Sequence, residues 1–379
     1  MAEVAGLQTV QLAGTPRERG RIHGEALRPL ISRGIRRWRG GILASTELDP
    51  DDYLDRFLES CDFLPAIERW APHLLDEVRG IGEGAGIPFR DVYAYQLMDE
   101  EWHFRRTLAG EQEGRELDHC STIAVFGERG APPLLAQNMD LPKIYDGTQA
   151  LLHVRHHDTA VESFVFTPAG LLGTTGLNSW GVGICCNTLA QLGHTSRGLP
   201  VAFVVRHVLE HRAVVEAERF LRAVPHASGQ NYMIGGPSGI VDLECSANKV
   251  VPCMYATTRL YHTNHPIAND DQPWRSGDVS SLAPGRGSAS TDAPATVLSN
   301  SEQRFSFLAN ALADMSERIT VDRAKSILST CEVPISVARS SKGDGMTLGS
   351  LVMQLSSPPL LDLAAGPPAE TTYSRWTFS

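Results

Sequence analysis

The sequence lacks the features that mark several large classes of protein. No stretch reaches the roughly 18 apolar residues that a membrane-spanning helix needs. The N-terminal segment MAEVAGLQTVQLAG has no basic region followed by an uninterrupted apolar core. Acidic residues outnumber basic ones, 44 to 34, which gives a net charge of −10 and no broad basic surface for phosphates. These absences predict a globular protein without a secretory signal that binds neither nucleic acid nor membranes.

Signatures of bound nucleotides and metals are also missing. No G-x-G-x-x-G follows a strand-like segment, no G-x-x-x-x-G-K-[ST] occurs, and H-E-x-x-H is absent. The cysteines and histidines do not form the two spaced pairs typical of structural zinc. We therefore expect no metal site and no bound cofactor. The seven cysteines are odd in number and scattered, which favours reduced thiols in a cytoplasmic protein over a disulfide framework.

The chain divides into two patterns near residue 110. Before it, apolar residues recur at three- and four-residue spacing, which predicts a mainly helical region that begins with one helix over residues 15–41. After it, short apolar runs bounded by turn residues predict antiparallel pairs. The clearest predicted pairs are 121–127 with 134–140, 150–156 with 162–170, and a hairpin within 173–189 that turns at Asn178-Ser179.

Helical blocks are predicted at 199–223 and 301–331, and exposed loops at 107–118 and 268–300. Grouped helices between antiparallel pairs indicate an α+β fold with two packed sheets flanked by helices. A doubly wound parallel sheet would instead alternate strand and helix along the chain.

Cys120 stands at the boundary between the two patterns, after the charged segment GRELDH and before an apolar strand. A thiolate attacks carbonyl groups well, but it needs a base and donors that hold the resulting oxyanion. A papain-like enzyme would carry this cysteine on a helix. If the bond before Cys120 is broken, its own α-amine, with an unperturbed pKa of about 8, can take the thiol proton. The residues alone leave open that Cys120 is an ordinary buried thiol.

The segment HCSTIAV, followed by LLAQNMD, resembles the start of the mature chain in a known family. This is the acyl-coenzyme A:6-aminopenicillanate acyltransferase (isopenicillin N acyltransferase-like) family of N-terminal-nucleophile (Ntn) cysteine hydrolases. The resemblance spans nearly the whole chain, because further matching segments follow the family order at 18–24, 82–96, 176–189, 230–236, 262–265 and 349–355.

The resemblance implies an Ntn-hydrolase αββα four-layer sandwich, made as an inactive precursor and cut autocatalytically between His119 and Cys120. Residues 1–119 would form a helical N-terminal segment, the small subunit after cleavage. Residues 120–379 would form the catalytic core, or large subunit. The family often has glycine before the nucleophile, whereas this chain has His119, which could assist as an acid or base.

The resemblance also implies roles for individual residues. Asp140 would support processing and orient the new N-terminus, and Asn231 would help to form the oxyanion hole. Asn187 and Asn138 would contribute to substrate binding or to the oxyanion hole. Arg304 would anchor a substrate carboxylate or steady the cysteine region. Each residue also has a structural interpretation, as a turn-capping aspartate, a strand-end asparagine or a solvated helix arginine.

The implied activity is hydrolysis or transfer of an acyl group at a C–N amide bond of a small molecule, through a Cys120 thioester. Acyl-CoA would be a co-substrate in the transfer reaction. The expected partners are this substrate, the other fragment of the same chain and further copies of the protein. Two alternatives stay open: an unprocessed cysteine hydrolase with a histidine base, and a catalytically inactive small-molecule-binding homologue.

Overall fold

A computed structural model of the 379-residue chain describes residues 7–109, 120–128, 130–156, 159–272 and 298–378. His119 and most of the predicted loops lie outside these ranges. The strands are β1 (Gln8–Leu12), β2 (Ser121–Val125), β3 (Leu134–Pro142), β4 (Gln149–Arg155), β5 (Glu162–Pro168), β6 (Thr175–Asn178), β7 (Gly183–Thr188), β8 (Gln230–Gly236), β9 (Gly239–Cys245), β10 (Val250–Pro252), β11 (Arg259–His262), β12 (Gly345–Gln354), β13 (Leu360–Ala364) and β14 (Ser374–Thr377).

The α-helices are α1 (Pro16–Ala26), α2 (Arg28–Thr46), α3 (Pro50–Glu59), α4 (Leu64–Trp70), α5 (Pro72–Ala85), α6 (Phe89–Gln96), α7 (Met98–Leu108), α8 (Val201–Val208), α9 (Val214–Ala223), α10 (Asn300–Ala311) and α11 (Val321–Leu328). Among the described residues, no helix is both long enough and apolar enough to cross a membrane. The region before residue 110 is mainly helical, as predicted, but it also contains β1.

The strands form two sheets, in the orders β1-β4-β5-β6-β7-β8-β9-β10 and β11-β2-β3-β12-β13-β14. The predicted pairs β2/β3, β4/β5 and β6/β7 are confirmed as antiparallel neighbours. In β2, Ala124 packs in the core between the sheets, whereas Ile123 and Val125 pack with α10 and α11. This alternation follows from the two-residue period of a strand.

Helices cover the outer face of each sheet. α8 and α9 contact the larger sheet, and α10 and α11 contact the smaller one. The layer order is therefore helix, sheet, sheet, helix, and the predicted αββα sandwich is confirmed. Each amphipathic helix buries one apolar stripe against a sheet, so the two outer layers complete the core.

The N-terminal helices are joined to the core by buried charge. Glu77 on α5 lies between Arg19 on α1, at 3.1 Å, and Arg206 on α8, at 2.9 Å, and all three side chains are buried. α1 and α5 also pack backbone to backbone: a Cβ added at Gly20 would lie 1.9 Å from the Glu77 carbonyl oxygen. Only glycine permits so close an approach.

The predicted helix over 15–41 is wrong in its extent. The chain forms two helices that meet at Leu27, and α2 continues through Gly40-Gly41 to Thr46. Pro29 explains the break, because it has no N–H for a carbonyl of the preceding turn and its ring obstructs a continuous helix. The apolar periodicity suggested one helix, but the backbone restriction at Pro29 divides the segment into two.

The predicted helical block at 199–223 contains two helices, α8 and α9, and the predicted helix at 301–331 is divided into α10 and α11. After α8, the Asn178 side chain donates hydrogen bonds to the carbonyls of Leu209 and His211, at 3.1 and 2.8 Å. After α10, Nη1 of Arg259 donates hydrogen bonds to the carbonyl oxygens of Leu312 and Asp314, at 3.0 and 2.7 Å. These side chains satisfy carbonyls that a continuing helix would otherwise have used.

Candidate active site

Cys120 lies directly before β2, at the start of the strand, and is 5% exposed. Its sulfur is 3.7 Å from the carbonyl oxygen of Asp140 and 4.0 Å from the sulfur of Met139, both on β3. Cys120 lines a narrow cavity that is partly open to solvent. The other lining residues are Gln96, Met98, Asp99, Trp102, Met139, Asp140, Leu141, Leu171, Gly173, Thr174, Cys186, Thr188, Val201 and Ala202.

The main chain of Cys120 is held by a buried cation. Nη1 of Arg304, on α10, donates to the Cys120 carbonyl at 2.6 Å and to Oγ of Ser121 at 3.0 Å. The Arg304 side chain is completely buried and does not line the cavity. Hydrogen bonds from a guanidinium are stronger than neutral ones. Of the two roles expected for Arg304, these contacts favour steadying the cysteine region.

Asn187 holds the same carbonyl from the opposite sheet. Its Nδ2 donates to the Cys120 carbonyl at 3.0 Å and to the His262 carbonyl at 3.4 Å. Its Oδ1 accepts the Thr122 hydroxyl proton at 2.7 Å. Asn187 therefore fixes the beginning of β2 against β7, so that the position of the cysteine depends on both sheets.

The other two predicted asparagines do not line the cavity. Asn231, on β8, donates to Asp242 Oδ1 and to a main-chain carbonyl on β9. Both N–H groups of Asn138, on β3, donate to the carbonyls of Leu328 and Ile335, at 2.8 and 2.7 Å. In the uncut chain, the amide hydrogens of both side chains are engaged away from the Cys120 sulfur.

Asp140, for which the resemblance implied a role in processing, lies on β3, and its main-chain carbonyl is the one near the Cys120 sulfur. It is buried on β3, opposite Thr347 of β12, and it lines the cavity together with Cys120. Its neighbour Gln137 donates through Nε2 to the Cys186 carbonyl on β7, which joins the two sheets across the site. β3 is therefore joined to β12 by strand pairing and to β7 by the Gln137 side chain.

Asn264 was not among the predicted site residues, although its segment 262–265 was among the matching ones. Its Oδ1 accepts a hydrogen bond from Nη2 of Arg304 at 3.0 Å, and its Nδ2 donates to the Thr188 carbonyl at 3.1 Å. It thus connects the arginine that holds Cys120 to the end of β7, where Thr188 lines the cavity. Spacing alone does not reveal which residue of a short motif points inward.

Asp99 is a second residue that the sequence did not single out. It lies in the segment MDEEWHF of α7, where three consecutive acidic residues suggest a solvated helix face. All three are buried, and Asp99 lines the cavity. Its Oδ1 accepts hydrogen bonds from Thr188 Oγ1 at 2.7 Å and Gln230 Nε2 at 2.8 Å. Burial raises the pKa of Asp99, and it raises the pKa of Glu100 to about 8.

Cys186 is the second thiol of the cavity lining. It lies inside β7, and its sulfur donates to the Thr174 carbonyl at 3.3 Å. Burial raises the pKa of Cys186 well above its ordinary value, which keeps it protonated. No histidine is present among the cavity-lining residues of the described ranges. A side-chain imidazole base is thus missing from this part of the cavity.

Comparison of the sequence with known proteins assigns the chain to a family. Residues 125–359 match the family model described as acyl-coenzyme A:6-aminopenicillanic acid acyl-transferase, which is more than half of the chain. The chain belongs to this family. A relative from Emericella nidulans, the 40 kDa form of acyl-coenzyme A:6-aminopenicillanic-acid-acyltransferase, is 28% identical over 264 residues. The match covers 69% of this chain and 70% of that protein.

Two solved structures are more distantly similar to this acyltransferase family member. A mutant of the conjugated bile acid hydrolase from Clostridium perfringens is 14% identical, with a TM-score of 0.43, over 69% of this chain and 96% of that one. Penicillin V acylase from Agrobacterium tumefaciens is 13% identical, with a TM-score of 0.39, over 69% and 86%.

Proposed function

We propose that the protein is a self-processing amidohydrolase or acyltransferase that carries an acyl group on Cys120. Membership of a family of acyl-transferring enzymes supports the reaction class. The observation that carries the assignment to Cys120 is its placement at the start of a strand. Cys120 lines a cavity, while Arg304 and Asn187 donate hydrogen bonds to its carbonyl.

Processing would proceed by an acyl shift. The Cys120 thiol attacks the carbonyl carbon of residue 119, the C–N bond to Cys120 breaks, and the nitrogen leaves as the α-amine of Cys120. Water then hydrolyses the thioester, which restores the thiol and leaves a carboxylate on residue 119. One water molecule is consumed and one peptide bond is lost. The hydrogen bonds to the Cys120 carbonyl fix the residue while its sulfur turns toward the preceding bond.

The mature enzyme would use the α-amine of Cys120 as its base, with an unperturbed pKa of about 8. The thiolate attacks the substrate amide, and the leaving amine takes the proton. A Cys120 thioester remains. Water then gives hydrolysis and a second amine gives acyl transfer, and in either case the thiol is regenerated. Asp140, next to Cys120 in the cavity lining, would orient the new ammonium group.

The two fragments would stay together as a heterodimer after cleavage. Cavity-lining residues Gln96, Asp99 and Trp102 belong to the N-terminal fragment, whereas Cys120 belongs to the other. β1 completes the larger sheet at β4. Neither fragment alone would contain the whole cavity, so activity should require both.

The wall of the cavity is largely apolar, which would suit an apolar portion of a substrate. Met98, Trp102, Leu141 and Leu171 form much of its wall. The relative from Emericella nidulans is named for an acyl-coenzyme A donor. We therefore propose an acyl-coenzyme A thioester as a second source of the acyl group, beside an amide substrate.

Intact-mass spectrometry of the purified protein tests the proposal. We expect two fragments that break before Cys120, a single uncut chain for Cys120→Ala, and normal cleavage for Cys331→Ala, which removes an exposed thiol. Incubation with a panel of acylated amines, with and without acyl-coenzyme A, should add one acyl mass to the 120–379 fragment, removable by hydroxylamine.

The alternatives give different results in the same experiment. A persistent single chain with turnover that requires Cys120 would indicate an unprocessed cysteine hydrolase. A single chain that neither acylates nor turns over any substrate would indicate a binding protein. Cleavage that persists in Cys120→Ala would contradict the mechanism itself.

A further inference from the structure

A cluster of two histidines and a glutamate lies apart from the Cys120 cavity. His73 is in the first turn of α5, His207 is in the last turn of α8, and Glu210 follows α8 in the chain. None of the three lines the cavity. We call them the Glu210 cluster.

The potential ligand atoms of the Glu210 cluster all lie within 4.8 Å of one another. Nε2 of His73 is 2.8 Å from Oε1 of Glu210, and Nδ1 of His207 is 3.5 Å from Oε2. Nδ1 of His207 is buried and makes no hydrogen bond within the described residues. The side chains are 18–31% exposed, so an ion can reach them from solvent.

These spacings suit a tetrahedral metal site. Zinc bonds of about 2.0–2.2 Å to nitrogen and oxygen place neighbouring ligand atoms about 3.3–3.6 Å apart. The separation of His207 Nδ1 from Glu210 Oε2, 3.5 Å, lies inside this range, and that of His73 Nε2 from Glu210 Oε1, 2.8 Å, lies below it. Side-chain rotations would bring one atom of each residue onto one ion. Two imidazoles and a carboxylate leave a fourth position for water.

The surroundings of the Glu210 carboxylate also favour a cation. Its ion-pair neighbours in the described ranges are imidazoles: His73, His207, and His156, whose Nδ1 is 3.8 Å away. No arginine or lysine of those ranges pairs with it. A divalent ion bound here would place further positive charge beside the carboxylate.

We propose that His73, His207 and Glu210 bind a divalent transition-metal ion, of which zinc fits best. The sequence predicted no metal site because His73 and Glu210 are 137 positions apart, far from the short spacings of zinc motifs. His73 lies before residue 119 and the other two ligands after it. The ion would therefore connect the two fragments of a cleaved chain, in addition to their packing.

Metal binding can be measured on untagged full-length protein that has been treated with a chelator and desalted. Titration calorimetry with zinc should show one ion per chain, and cobalt should produce the visible absorption of a tetrahedral site. Outer-shell partners alone are worth about 10- to 100-fold in metal affinity, so loss of a ligand should weaken binding by about 100-fold or more. We expect this loss in His207→Ala and Glu210→Gln.

His153→Gln is the matched control, because His153 pairs with Glu162 without a second histidine ligand. It should bind zinc as the wild type does. Zinc should also raise the melting temperature of the wild type and of this control, and leave that of Glu210→Gln unchanged. Failure of the wild-type protein to bind one zinc ion at micromolar concentration would overturn the proposal. So would equal binding by both ligand variants. Neither result depends on whether Cys120 is catalytic.

Discussion

Replacement of Arg304 by methionine tests the most specific feature of the site. Methionine is an unbranched side chain without a hydrogen-bond donor, so the bonds to the Cys120 carbonyl and to Ser121 Oγ are lost. Asn187 still donates to the same carbonyl. One hydrogen bond to a charged group is worth about 1.5–3 kcal/mol. If the bond to Cys120 acts fully in positioning the sulfur, kcat should fall by about 10- to 150-fold.

The assay is the rate of acyl-enzyme formation, followed by quenched intact-mass spectrometry, and the steady-state kcat per folded molecule. Circular dichroism supplies the folded fraction, because the change also removes bonds to Asn300 and Asn264 and should lower stability. Arg259→Met is the control for this loss. Arg259 is 2% exposed and donates to three main-chain carbonyls. It lies on β11, and none of its hydrogen bonds in the described residues reaches Cys120.

We expect Arg259→Met to lower the free energy of unfolding while its kcat per folded molecule stays close to that of the wild type. A folded Arg304→Met variant with kcat within about twofold of the wild type would refute the reasoning. The hydrogen bonds to the Cys120 carbonyl would then be structural only. An equal fall in both variants would indicate a general loss of core rigidity.

Two further predictions concern stability. Burial raises the pKa of the Glu100 carboxyl from 4.5 to about 8, so the unfolded state loses this proton at a lower pH than the folded state does. The free energy of unfolding should therefore fall as pH rises from 4.5 to about 8, by at most about 1.4 kcal/mol per pH unit. Glu100→Gln should flatten that slope in urea denaturation, and an unchanged slope would contradict it. Gly20→Ala should lower the free energy of unfolding by about 1–3 kcal/mol, because the new Cβ would meet the α5 backbone. Gly40→Ala places its Cβ where no atom lies within 4 Å and should stabilise α2 by up to about 1 kcal/mol. Equal melting temperatures of the two variants would contradict this prediction.

The sheets could be predicted because their signals are local. Alternating apolar residues and turn chemistry identified β2 with β3 and β4 with β5, and the resemblance supplied the layer order. The helix divisions after α8 and α10 could not be predicted in the same way. They depend on Asn178 and Arg259, which reach the helix ends from other parts of the chain.

In the candidate site, too, some residues are brought together by local sequence signals and others only by long-range packing. Cys120 and Asp140 lie on adjacent strands of one hairpin, so a motif read along the chain already brings them together. Asn264 and Asp99 reach the site only through tertiary packing. Asp99 in particular lies in an acidic helical segment whose burial depends on how α7 docks against the core. The sequence offered no sign that three adjacent acidic residues would be inside.

The parallel pairing of β1 with β4 has a consequence for refolding. β1 covers the edge of a strand whose residues Ala150–Val154 are buried, with Gln8 opposite Ala150 and Leu12 opposite Val154. An uncut chain can form this pair by intramolecular closure. After cleavage the same pair would require an encounter between two molecules, while an open edge strand invites association with other chains. The precursor should therefore recover from denaturant with a yield independent of dilution, whereas the cleaved protein should lose material to aggregates.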